Sequence, residues 1–258
     1  MTTYTIDPIG FINTCFPEKF GIPRQSLLAP SAKGSLILQP PYNHPDCVRG
    51  LESVSHVWLS FIFHQHSDKG WKPTVRPPRL GGNEKVGVFA TRSSFRPNQL
   101  GLSVVALDDV IIDQRQVCLH FSGVDLVDGT PIVDIKPYLN YADSLPYATN
   151  AIAAQAPLHV NVEFSDSALV FCEQYKTTIK NLPTTDLKQL IVEVLQQDPR
   201  PAYHHQQSQE SREYGIAVLD CNVRWVCIKQ DGENRGNMKD ESYGEGQARK
   251  VVVKNVSQ

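Results

Sequence analysis

LSVVALDDVII, residues 102–112, followed after four polar residues by VCLHF, residues 117–121, decides the fold class of this chain. Both runs are rich in β-branched and aromatic side chains. Outward from them, GSLIL (34–38), VSHVWLSFIF (54–63) and KVGVFA (85–90) have the same character, and turn-forming Gly, Pro, Asn and Asp separate them. Several of these runs lack a clean apolar and polar alternation. That pattern fits strands buried on both faces or curled into a barrel. Residues 1–160 are therefore expected to form a mostly β domain.

From Ser165 the period changes. Leu187, Leu190, Ile191, Val194 and Leu195 fall on one face of a helix that Thr184, Thr185 or Asp186 could cap. Ala168, Leu169, Phe171, Cys172 and Tyr175 predict an earlier helix, ended near Asn181 and Pro183. Two short β-like runs follow, Tyr214 to Leu219 and Val223 to Ile228, with Asp220, Cys221 and Asn222 as the hairpin turn. Residues 161–230 thus read as a small α+β domain, joined to the first by a linker or long excursion over 142–157. Residues 231–258 carry little apolar periodicity and are expected to be a mobile tail, to which Val251, Val252 and Val253 could add an edge strand.

The chain has 258 residues, 41% hydrophobic and 20% charged, which are globular values. No apolar run approaches the roughly 20 residues that span a bilayer, and MTTYTIDPIGFINTCFPEKF has no secretory pattern, so a cytoplasmic protein is expected. Six scattered cysteines without metal spacing read as reduced, mostly buried thiols. His64 and His66 could share a strand face, but no metal motif accompanies them, and no metal is assigned.

Charge is concentrated in one place. Between Trp71 and Leu100, Lys72, Arg76, Arg79, Lys85, Arg92 and Arg96 face a single acid, Glu84, in a chain whose net charge is −2. Clustered cations of this kind suit a polyanion engaged at one face. Three segments mount polar side chains directly after apolar runs or turns: PRQ (23–25), FHQ (63–65) and ATRSSFRPNQLG (90–101). Each alone has an ordinary reading, with Arg24 in a surface ion pair, His64 as a satisfied core histidine and Arg96-Pro97-Asn98 as a turn. A fourth segment, DLVDGTPIVDIKPY (125–138), places Asp125, Asp128 and Asp134 around Gly129 and Pro131. These acids could accept from a ligand's ammonium or hydroxyls, or simply form a turn. A fifth, QDPRPAY (197–203), is either a proline helix stop or a place where Arg200 grips phosphate and Tyr203 stacks on a base. No G-x-G-x-x-G, P-loop or G-x-S-x-G motif is present, which argues against a Rossmann enzyme, a P-loop NTPase and an α/β-hydrolase.

These motifs occur in one order: PRQ, YNHPDCVRGLESVSHVWLSFIFHQ, WKPTVRPPRLGGNEKVGVFATRSSFRPNQLGLS, DLVDGTPIVDIKPY, QDPRPAY and the NVRW of 222–225. Over about residues 5 to 228 the chain resembles the bacterial TsaA-like (TrmO) family. Its members are S-adenosylmethionine-dependent methyltransferases acting on N6 of threonylcarbamoyladenosine beside the tRNA anticodon. The resemblance implies a mostly β fold, with a non-Rossmann β-barrel catalytic domain and a small α+β C-terminal domain. It also implies a homodimer whose active sites could draw on both subunits. Carried over by motif, the cofactor contacts are Pro23, Arg24, Gln25, His64, Gln65, Arg92, Leu102, Asp125, Leu126, Val127 and Asp128. Arg76, Arg79, Arg96, Asn98 and Arg200 would face tRNA.

Under that resemblance the acceptor nitrogen is poorly nucleophilic, because its lone pair is delocalised into the ring and the carbamoyl group, so a base is expected. Asp198 is the candidate base or its orienter, with Tyr203 placing the nucleobase and His64 as a second candidate. Arg92, Arg96 or Arg200 could pair with the threonyl carboxylate. Two other classes remain: a non-catalytic RNA-binding module with Trp71, Phe95 and Tyr203 as stacking rings, and a methyltransferase that acts on a small molecule.

Overall fold

A computed structural model describes residues 2–77, 80, 84–114, 116–154, 156–157, 159–200, 212–229 and 249–258. The strands are β1 (Gly10–Thr14), β2 (Lys33–Leu38), β3 (His56–Ile62), β4 (Thr74–Val75), β5 (Val86–Gly87), β6 (Leu100–Asp113), β7 (Gln116–Ser122), β8 (Thr130–Pro137), β9 (Asn161–Phe164), β10 (Glu213–Val218), β11 (Cys221–Lys229) and β12 (Arg249–Ser257). The helices are α1 (Asn140–Asp143), α2 (Asp166–Gln174) and α3 (Leu187–Leu195). Six strands close a barrel in the order β1-β2-β7-β6-β3-β8, with every neighbouring pair antiparallel.

Inside the barrel, burial alternates residue by residue. Val57, Leu59 and Phe61 of β3 point in, as do Val117, Leu119 and Phe121 of β7. The missing polar alternation in sequence has a physical source: outward positions such as Trp58, Ile62 and Val104 are themselves half-buried. Fully burying one such side chain contributes about 1.5–3 kcal/mol, so the inward set is the main support of the barrel.

The segment 125–138, read from sequence as a loop, is a loop only as far as Gly129. Its remainder is β8, the strand that closes the barrel between β3 and β1. Pro131 is tolerated because the flanking ladder bonds run from Gly129 N to Ile12 O (2.9 Å) and from Ile9 N to Ile132 O (2.8 Å), so its missing N–H falls between them. The expected strand at 85–90 reduces to the two residues of β5. There the buried Val88 starts a turn whose carbonyl accepts from the Thr91 amide. His64 and His66 do not share a strand face, because β3 stops at Ile62 and a 3-10 helix spans His64–Lys69.

In the second unit, α2 packs on β12 of a four-stranded sheet ordered β10-β11-β12-β9, and α3 packs on α2. Asp186 caps α3 by accepting from Gln189 N at 3.0 Å. Leu190, Ile191, Val194 and Leu195 are each at most 1% exposed. The hairpin turn lies at Leu219 and Asp220, one step earlier than expected, with Leu219 at φ 57° and Cys221 already in β11. The expected mobile tail is corrected over 249–257: β12 sits inside the sheet, antiparallel to β11 and parallel to β9. Val251 and Val253 are fully buried there, so alternating valines decide the strand where polar composition had argued against one. The 231–248 part of the expected tail lies outside the described residues.

One apolar core runs through both units, through Cys15, Phe16, Ala29 and Ala32 of the β1–β2 connection. That connection is hydrogen-bonded to the second unit by Leu219 N to Cys15 O at 2.7 Å and Ala217 N to Glu18 Oε1 at 3.3 Å. All six cysteines are free thiols, with Cys47 exposed and the others buried or half-buried.

Candidate active site

Antiparallel closure brings the motifs together. The C-terminal ends of β1, β3 and β7 and the N-terminal ends of β2, β6 and β8 lie at the same mouth of the barrel. The loops there are 15–32 with PRQ, 63–73 with FHQ, the end of 90–101, and 123–129 with Asp125. Specific bonds tie these loops pairwise. Arg92 Nη1 donates to Gln25 Oε1. Leu27 N donates to Gly123 O at 2.8 Å, and Phe63 N donates to Gln99 O at 2.8 Å. Lys19 Nζ donates to Gln65 O at 3.0 Å.

Asp125 stands apart from its neighbours in the 125–128 segment. Its Oδ1 is buried with no hydrogen-bond partner among the described residues. Burial pushes the carboxyl up to about 6, against the downward pull of the Ser103 hydroxyl, its own amide, the Ser26 amide and the Arg92 charge. A buried acceptor left unpaired costs about 1–3 kcal/mol, so such an atom in a loop-lined mouth suits a ligand's donor. By contrast, Asp128 accepts from Thr14 N at 2.9 Å and so fastens β1 to the turn. Leu126 and Val127 are buried, and their carbonyls accept from Thr14 Oγ1 and Thr130 Oγ1 at 2.8 and 2.7 Å. Asp134 lies on β8, where its side chain accepts from the next amide, Ile135 N, at 2.9 Å.

The other expected cofactor residues divide by position. Pro23 is buried, Arg24 and Gln25 are half-buried, and Gln65 is exposed. His64 is half-buried; burial, with the Lys19 charge, lowers its pKa despite a hydrogen bond to the Ile62 backbone, and so favours the neutral ring. Leu102 is 54% exposed on the outer face of β6, while Ser103 beside it points in and meets Asp125.

Among the expected substrate residues, Arg76 and Asn98 are exposed. Arg96 is used within its own loop: Nη1 donates to Thr91 O at 2.6 Å, and the guanidinium lies over the Phe89 ring at 5.9 Å. Arg200 is only 4% exposed and makes a bidentate pair with Asp198, both bonds 2.6 Å. Burial works against its cation, but the Asp198 bonds and charge outweigh that and hold its pKa above the ordinary arginine value. Arg79 and Tyr203 lie outside the described residues.

Ser26, Ser103 and Glu193 escaped the sequence reading, and Gln197 entered it only as the first residue of QDPRPAY. Ser103 had a signal in being a small polar residue at an inward strand position, two before the buried Val105. Gln189, Glu193 and Gln197 recur every four residues beside the apolar stripe of α3, which marks a polar edge facing something specific. Among the described residues no helix is long and apolar enough to cross a membrane, and no group of three His, Cys, Asp or Glu is placed to hold a metal.

Comparison with known proteins agrees with the fold. Residues 11–144 match the tRNA-methyltransferase O N-terminal domain and residues 157–234 the TrmO C-terminal domain. A protein of Escherichia coli (strain K12) named tRNA (adenine(37)-N6)-methyltransferase is 48% identical over 226 residues, covering 87% of this chain and 94% of its own length. A Pseudomonas aeruginosa protein named putative S-adenosylmethionine-dependent methyltransferase RcsF is 46% identical over 229 residues, covering 89% and 95%. The crystal structure of TrmO from Pseudomonas aeruginosa superposes with a TM-score of 0.75 at 36% identity, covering 100% of this chain and 99% of that one. The mostly β architecture with its closed barrel, the two matched domains and the length of the match lead to one placement: this chain belongs to the tRNA-methyltransferase O family.

Proposed function

We propose that this chain is an S-adenosylmethionine-dependent methyltransferase that modifies N6 of adenine 37 in tRNA, and that the adenine it accepts carries a threonylcarbamoyl group. The observation that carries the reading of the site is Asp125 Oδ1, a buried acceptor without a protein partner at the mouth where PRQ, Arg92 and Ser103 converge. The residues present fit the cofactor. S-adenosylmethionine supplies a methyl group on a cationic sulfur, together with an ammonium, ribose hydroxyls and an exocyclic amine as donors. Asp125 would accept one of those donors, and the buried carboxylate suits a cationic ligand best. Arg24, Gln25 and the backbone of 63–65 line the same mouth. Because positive charge is lost as the methyl group leaves sulfur, these loops gain most by alignment and exclusion of water.

The exposed cations Lys72, Arg76, Lys85 and Arg92 surround this mouth in sequence and suit the phosphates of a tRNA stem-loop. Asp198, both of whose oxygens accept from Arg200, is assigned the role of orienting that guanidinium. A cytoplasmic site of action follows from the substrate. A homodimer belongs to the same reading. Phe89, Leu100 and Leu102 are 74%, 38% and 54% exposed on adjoining segments, an apolar rim that suits a second subunit. Light scattering after gel filtration should give twice the chain mass, and a monomer at micromolar concentration would remove this part.

The decisive assay supplies labelled S-adenosylmethionine to two tRNA pools, one carrying threonylcarbamoyladenosine and one without modification, followed by nucleoside mass analysis. Label is expected in the modified nucleoside, with kcat/KM for unmodified tRNA lower by about a hundredfold or more, since a polar pocket rejects a substrate that leaves its donors unpaired. Equal turnover on both pools would remove the threonylcarbamoyl requirement. Cofactor binding without transfer to either pool would point to another acceptor, and no cofactor binding to a non-catalytic RNA-binding protein.

A further inference from the structure

We propose that Glu193, on helix α3 of the second unit, is a positioning residue for the cofactor: it holds the loop that carries Pro23, Arg24 and Gln25. The inference rests on the cofactor seat proposed above. It makes the C-terminal unit part of that seat in addition to any role in binding RNA.

Glu193 is 7% exposed, yet it lies on a helix whose apolar face is already complete with Leu190, Ile191, Val194 and Leu195. A leucine there would pack the two units together as well, so the carboxylate needs its own reason. Its partners supply one. Oε2 accepts from Ser31 N at 2.7 Å, and Oε1 accepts from Ser31 Oγ at 3.1 Å and from Gln189 Nε2 at 2.9 Å. One turn on, Gln197 Nε2 donates to Leu28 O at 3.3 Å and to Glu193 O at 2.8 Å. Before the helix, Thr185 Oγ1 donates to Ser31 O at 2.6 Å. Three side chains of the second unit thus grip the backbone of residues 28–31.

The barrel grips the same loop from the other side. Leu27 N donates to Gly123 O at 2.8 Å, and Gly123 N donates to Ala32 O at 2.8 Å. Leu27 is held at φ 65°, a conformation that disfavours leucine and persists only where the surroundings fix it. Gly123 is pressed so closely against it that a Cβ would lie 2.6 Å from Leu27 Cδ2. Ser26 and Gln25, which meet Asp125 and Arg92, are the next residues toward the mouth. The path from Glu193 to the cofactor contacts is therefore one short, doubly clamped stretch of backbone.

The test is calorimetric titration of the full-length protein with S-adenosylmethionine, without tRNA, alongside thermal unfolding and steady-state kinetics. Glu193→Ala should raise Kd and KM for the cofactor about tenfold, with kcat at saturating cofactor within about twofold, as for loss of charge-assisted hydrogen bonds that position a binding loop. Glu193→Gln, which can still accept from Ser31 N, should recover part of that loss. A folded Glu193→Ala protein with the parent Kd, even at lowered melting temperature, would make the residue merely structural and overturn the proposal. If Glu193→Ala does not fold, Glu193→Gln alone carries the test, since it keeps an acceptor for the Ser31 amide while losing the charge and one acceptor oxygen. A rise of about three- to fivefold is expected, and the parent Kd overturns the proposal. A parent protein that binds no S-adenosylmethionine would sink the cofactor seat itself, a different failure.

Discussion

Two turns, 123–129 on the barrel and 196–200 after helix α3, each present an aspartate that the sequence marks for chemistry, and the structure treats the two oppositely. Asp198 has a bidentate partner in Arg200, so its charge is matched inside the protein. Asp125 has a carboxylate oxygen with no partner among the described residues, and burial holds its carboxyl near pH 6. The difference separates an acid that builds the scaffold from one whose free acceptor carries the proposed cofactor seat. Proximity to a motif distinguishes neither. The state of each oxygen does.

The sharpest way to break the comparison is to remove each acid. Asp198→Ala takes the bidentate partner from a guanidinium that is 4% exposed, and should cost about 3–5 kcal/mol of stability in denaturant unfolding while the folded fraction keeps the parent affinity for S-adenosylmethionine. A loss below about 1 kcal/mol would mean that Arg200 finds another anion and that the pair is not structural. Asp125→Asn should act in the opposite sense on the two quantities: affinity for the cofactor falls about tenfold or more, and the ligand-free protein becomes more stable at neutral pH. The carboxyl's rise from 3.8 to about 6 corresponds to about 3 kcal/mol, an upper limit to that gain. Its sign follows from linkage. A carboxyl raised on folding leaves the native state binding more protons between pH 4 and 6, so its contribution to stability is present at low pH and lost as pH rises through about 6. A cationic ligand draws the carboxyl back to its charged form, so binding near pH 6 should release up to about half a proton, read by calorimetry in two buffers of different ionisation heat. Proton release undiminished in Asp125→Asn would assign the effect elsewhere.

The barrel was legible where its strands are strongly β-branched, from β2 and β3 through β6 and β7, and the helical face of α3 was legible from five apolar positions. β8 was missed because Gly129 and Pro131 signal a turn locally, whereas the barrel needs a sixth strand there, a requirement only closure reveals. β12 was read as no more than an edge strand on a tail, because its polar outward residues, Lys250, Lys254 and Asn255, hide its inner place until a parallel partner eighty-odd residues earlier in the chain is found for it. The motif loops were readable one by one, and that they share one mouth follows from strand direction. What sequence could not supply was the pairing state of side chains: that Arg200 is consumed by Asp198, Arg96 by its own loop and Asp128 by Thr14, while Asp125 is left with an acceptor to spare.

The place of β12 also sets an order of events during synthesis. The barrel has all its strands once Pro137 has emerged, but the second sheet lacks an inner strand until Ser257 has, roughly 120 residues later. At about 5–20 residues per second, that interval lasts from several seconds to about half a minute. From the moment each has emerged until β12 follows, β9 and β11 keep open edges, and unpaired strand edges of this kind invite association between nascent chains. A barrel finished early while its companion sheet waits for its fourth strand would place the most aggregation-prone moment of this protein's life just before β12 arrives.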